Sequence, residues 1–147
     1  MSETVSITVT QKQDYQFLVD FGKAMPTLVA DEPSPMGKGE GPAPTQMLLA
    51  AVANCLSASL IFSLTKFKQD AGGITTIATC VVDRNKKNRF RIQKIDVAIR
   101  LGKQREILTH LDHAIGQFED FCTVTQSVQT GIPVKITITD SNGERIE

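Results

Sequence analysis

The chain has 147 residues, 41% of them apolar, with 16 basic and 16 acidic side chains. That length is the usual size of one domain, taken here as residues 1–147. Balanced charge gives no general electrostatic reason to bind nucleic acid or an anionic membrane.

The opening "MSETVSITVTQKQDYQF" has no basic stretch followed by an apolar one, so no secretory leader is expected and a cytoplasmic location is. Within it "VSITVT" alternates Val5, Ile7 and Val9 against polar residues, the pattern of a half-buried strand. "YQFLVDF" is a second, weaker strand. The Pro- and Gly-rich "DEPSPMGKGEGPAP", Asp31 to Pro44, has no periodicity and is a loop.

"PTQMLLAAVANCLSASLIFSL" follows, Pro44 to Leu64, with no charged residue and with Cys55 in its middle. Pro44 suits a first helical turn. A helix from there to about Lys68 is apolar nearly all round, so it should be buried on most sides. Its Thr, Gln, Asn and Ser residues favour a buried soluble helix over a membrane span. Gly72 and Gly73 end it. Two flanking helices and one sheet are too little cover for such a helix, so a homodimer is expected.

"ITTIATCVVDR" and "FRIQKIDVAIRL" are two strands joined by the basic turn "DRNKKNR", a solvated tip. From Lys103 to Phe118 apolar residues recur at helical spacing, and His110 and His113 on that helix are ordinary surface histidines rather than metal ligands. "CTVTQSVQTG" is a short helix and "PVKITITD" a last strand. The order implies an α+β fold with a largely antiparallel sheet. There is no GxxxxGK[ST], GxGxxG or CxxC pattern, so no nucleotide, metal or other cofactor is expected.

Three cysteines, Cys55, Cys80 and Cys122, in a chain without an export signal imply a reducing compartment, where paired thiols are more often redox-active than structural. Cys55 alone reads as a small buried hydrophobe, and Cys80, inside a strand, as structural. Cys122 stands at a predicted helix start, where partial positive charge favours a thiolate.

"GPAPTQMLLAAVANCLSASL" resembles the helix motif of the OsmC/Ohr family, and "EDFCTVTQSVQTGIPVKITI" resembles that family's second cysteine motif. The resemblance covers most of the chain. It implies a long central helix in an intertwined homodimer with sites at the interface. It further implies a thiol peroxidase acting on organic hydroperoxides and recycled by a dithiol reductant. By position, Cys55 matches the peroxidatic cysteine and Cys122 the resolving one. An apolar surround suits an organic peroxide, and a sulfenate at Cys55 needs a second thiol. Two departures weigh against full activity. Thr45, followed by Gln46, stands where the family's arginine-holding carboxylate belongs, and no arginine precedes Arg84. Lys23 or Lys38 could supply a cation, without arginine's planar fork. The alternative is a non-catalytic protein of the same fold that binds a small apolar ligand at the dimer interface.

Overall fold

In the computed structural model, which describes residues 2–146, strands β1 (Thr8–Gln13), β2 (Gln16–Asp20) and β3 (Leu28–Ala30) form an antiparallel meander. They belong to the first of two compact units, Met1–Leu48, the second being Leu49–Glu147. The expected first strand is displaced. Thr8 pairs with Asp20, after which β2 ends, so Val5 and Ile7 have no strand opposite them. Every residue of β1 is exposed, contrary to the half-buried reading. β3, which escaped the sequence reading, opens the long loop.

That loop is ordered by one carboxylate. Asp31 is 2% exposed and accepts hydrogen bonds from the main-chain N–H groups of Glu32, Lys38 and Glu40 and from Gln16 Nε2. Burial pushes its pKa up, but these donors outweigh that and hold it below the ordinary 3.8. Gly37 passes so close to the Asp31 side chain and the Glu32 carbonyl that a Cβ there would collide with both.

The second unit is built on a sheet of β4 (Ile74–Arg84), β5 (Phe90–Leu101) and β6 (Val134–Thr139), in that order. β4 and β5 are an antiparallel hairpin; β6 returns parallel to β5, so this sheet is mixed. A parallel neighbour requires a crossover, and residues 102–133 supply it. Ile95, Val97, Ile99 and Leu101 fall on one face of β5 by the two-residue period and are each at most 1% exposed. The outer face carries Asp96, Ala98 and Arg100, as the alternation predicts.

Helix α1 (Pro44–Lys66) starts in the first unit and continues into the second. Pro44 occupies its first position, and Gln46 Oε1 accepts the Ala43 N–H at 2.9 Å, the back half of a capping box. Val52, Leu56, Leu60 and Leu64 lie on one stripe and join the core with β5, Phe118 and Ile138. The helix is thus covered on one face. Ala51, Asn54, Ala58, Ile61 and Phe62 are exposed within the chain, where burial on most sides was expected.

The helix expected from Lys103 to Phe118 is broken. A 3-10 turn covers Arg105–Ile107, Leu108 is extended, and His110 adopts φ 57° before α2 (Leu111–Gln117) begins. The Thr109 N–H is held by Gln69 Oε1 at 3.0 Å, which fixes the break. A second 3-10 turn, Phe118–Phe121, leads to Cys122 and α3 (Thr123–Val128).

Candidate functional site

Cys55 lies in α1 on the border between its buried and exposed faces. Leu56 and Val52 are inside, Asn54 and Ala58 are outside, and Cys55 is partly exposed. Helical period places Phe62, seven residues on, and Lys66, eleven residues on, along the same side. Cys122 is fully buried and stands immediately before α3. The two residues are 67 positions apart (122 minus 55), and the return of β6 along β5 carries Cys122 back to α1. Cys55 packs against the core that Cys122 joins, near enough to bear on the Cys122 thiol.

The surroundings of Cys122 oppose ionisation. Burial pushes its thiol above the ordinary 9.0, contact with the Cys55 thiol pushes it further, and the Thr125 hydroxyl and main chain pull it back in part. The Cys122 S–H donates to Thr125 Oγ1 at 2.9 Å. Thr125 is also completely buried. No cation is among the groups shifting this thiol.

Two turns along α1 from Cys55 an aromatic pair forms an apolar surface. Phe121 meets Phe62 edge-on, ring centroids 5.5 Å apart. Lys66 Nζ lies 5.0 Å from the Phe121 ring centre and 6.0 Å from that of Phe62, a cation–π arrangement. Both rings are about half exposed. The first turn of α1 carries no acidic residue. Thr45 lines a shallow groove with Pro33 and Pro42, and Gln46 is committed to the helix cap. Lys23 and Lys38 are exposed residues of the first unit.

Cys80 packs on the core side of β4, opposite Ile95. His110 and His113 are exposed and group around Phe67, with centroids 6.1 and 5.9 Å from its ring. Carboxylate oxygens of Glu106, Asp140 and Glu144 lie within 4.8 Å of one another. Asp140 is the buried member and is occupied by the main-chain N–H groups of Arg105, Asn142 and Glu144. The Arg105 bond is the main cause holding its pKa down, against burial. This carboxylate closes a turn.

Thr125 is the site residue that the sequence reading missed. Its signal was available: a threonine three residues after the residue that starts a helix is placed to meet that residue's side chain.

A family model described as OsmC-like protein matches residues 37–137. No curated protein matches the sequence. Several solved structures share the fold. An OsmC-like protein of unknown function from Vibrio cholerae is 19% identical, with TM-score 0.74 over 92% of this chain and 99% of that one. An organic hydroperoxide resistance protein from Elizabethkingia anophelis is 15% identical, with TM-score 0.74 over 95% and 99%. The organic hydroperoxide resistance protein OhrB of Bacillus subtilis is 13% identical, with TM-score 0.69 over 93% and 98%.

Proposed function

We propose, for a chain that belongs to the OsmC-like protein family, a thiol-dependent peroxidase that reduces organic hydroperoxides through Cys55 and Cys122. The observation that carries this reading is a partly exposed Cys55 packed against the core that holds the buried Cys122. In the reaction, the Cys55 thiolate attacks the outer peroxide oxygen, the O–O bond breaks, and an alcohol leaves with a proton. Cys55 becomes a sulfenic acid. Cys122 then attacks that sulfur, water leaves, and a disulfide forms. A dithiol returns both cysteines to thiols and is itself oxidised to a disulfide.

Each part has a structural counterpart. Phe62 and Phe121 offer an apolar wall to an organic tail. A second thiol in the core against which Cys55 packs intercepts the sulfenic acid before further oxidation. The helix start lacks the carboxylate that would hold an arginine, so turnover is slow. We read residues 1–147 as one functional domain and place the protein in the cytoplasm as a homodimer. The exposed Ala51, Ala58, Ile61 and Phe62 face of α1 meets the second copy near the site.

The test is one equivalent of cumene hydroperoxide followed by peptide mapping. A Cys55–Cys122 link with Cys80 free is the expected result, together with turnover when a dithiol is supplied. Modification of Cys80 alone sinks the reading. No turnover, with Cys55 inert to alkylation at pH 8, favours a binding protein for a small apolar ligand in the same place.

A further inference from the structure

Thr125 is fully buried, and its hydroxyl oxygen is 2.9 Å from Cys122 Sγ. A buried hydroxyl on a buried thiol is a polar pair inside the core, where apolar residues would pack as well. In the resting protein the thiol donates and the hydroxyl oxygen accepts. Once Cys122 carries charge, the hydroxyl can turn and donate to the sulfur. Cys55, by contrast, is partly exposed, and among the described residues no hydroxyl is hydrogen-bonded to its sulfur.

We infer that Thr125 is a positioning residue that makes Cys122 the leaving sulfur when the Cys55–Cys122 disulfide is opened, so that a reducing thiol enters at Cys55. The inference rests on the peroxidase reading only in requiring that this disulfide forms. The attacking thiolate bonds to Cys55 Sγ, the S–S bond breaks, and its electron pair goes to Cys122 Sγ. The Thr125 hydroxyl donates to that thiolate, which then takes a proton from solvent. The product is a mixed disulfide on Cys55. The second thiol of a dithiol closes on its own partner sulfur and releases Cys55 as a thiolate, with the dithiol oxidised to a disulfide.

Access sets this direction: attack follows it, and of the two cysteines only Cys55 is partly exposed. Burial opposes charge on Cys122, and the Thr125 hydroxyl offsets part of that cost. The reverse opening would require the reductant to enter the core.

The test separates this inference from hydroperoxide chemistry by making the disulfide with diamide, which contains no peroxide. The oxidised protein is then opened with limiting N-acetylcysteine, quenched in acid and mapped by mass. The adduct is expected on Cys55 in at least roughly tenfold excess over Cys122. In Thr125→Val, opening by dithiothreitol should slow about tenfold, the scale of one hydrogen bond to a charged group. Thr125→Ser should restore the rate. An adduct on Cys122, or an even split, overturns the inference, as does a valine variant that opens at the parent rate. If the valine variant does not fold, the adduct map on the unaltered protein still decides. Failure of diamide to link Cys55 to Cys122 rejects this inference and the peroxidase reading together. A link that opens through Cys55, in a protein that turns over no hydroperoxide, rejects the peroxidase reading alone.

Discussion

Ser63 in α1 donates a 2.8 Å hydrogen bond to the main-chain carbonyl of Ala114 in α2. Both residues are completely buried. The carbonyl also accepts the Phe118 N–H, so it keeps one partner if the serine is lost. Ser63→Ala should therefore cost about 1 kcal/mol rather than the larger penalty of an orphaned group. A fall of about 3 °C in Tm is expected for a chain of this size. Calorimetry that finds no change would mean the bond is offset by relaxation of the helix pair.

The loop held by Asp31 should loosen in acid. Its folded pKa lies below the ordinary 3.8, so its stabilisation is complete above that value. It is lost as the pH falls below 3.8 through the folded value. Asp31→Asn removes one strong acceptor from four donors and should mimic the acid state at neutral pH. Faster amide exchange at Lys38 and Glu40 is the readout. Unchanged exchange in the variant would show that Gly37 and the prolines alone order the loop.

Cys122 predicts the opposite pH dependence. Its pKa is raised above 9.0, chiefly by burial. Stability it contributes is intact below 9.0 and is lost as the pH climbs toward the folded value, because the unfolded chain ionises first. Cys122→Ala should flatten the alkaline limb of a denaturation curve measured from pH 8 to 11. Alkylation at pH 8 should modify Cys55 well before Cys122.

Turnover of cumene or tert-butyl hydroperoxide with a dithiol should be measurable but low. A positioned charged partner in a dry site is worth on the order of 3 kcal/mol, or about a hundredfold in rate. A relative with the full arginine–carboxylate set should exceed this protein by that factor. Cys55→Ser should abolish activity, and Cys122→Ser should leave it dependent on external thiol and prone to overoxidation. Thr45→Glu alone should not recover the rate, since its arginine partner is absent as well.

Light scattering at micromolar concentration should give the mass of two chains. Phe62→Asp, which places a carboxylate among exposed apolar residues of α1, should shift the protein toward one chain. A stable monomer in the unaltered protein would remove the proposed interface.

Much of the second unit was legible as periodicity. β5 alternates Ile95, Val97, Ile99 and Leu101 with polar neighbours over its whole length, and the structure keeps that register. The start of α1 was legible from Pro44, although its sidedness was not. Ala50, Ala51 and Ala58 make all its faces look alike. β1 was misplaced because Val5 and Ile7 alternate correctly yet meet no strand; the end of β2 sets that limit. The break at Leu108 to His110 depends on Gln69, some forty residues away in sequence. Cys55 and Cys122 were singled out by their motifs, and the family resemblance alone joined them. The parallel pairing of β5 with β6, which follows the stretch that carries Cys122, is encoded by no local pattern.

That parallel pairing also bears on the order in which the chain is made. β4 and β5 can close as a hairpin as soon as both have emerged, since their partners are close in sequence. β6 has to wait for the whole crossover, and Cys122 rides on that crossover just ahead of it. A nascent chain that has built α1 and the hairpin already carries Cys55 and Cys80, while Cys122 has yet to be placed. Long-range pairings of this kind are slow to form. The last strand closes the sheet and, by the same movement, completes the core that Cys122 joins.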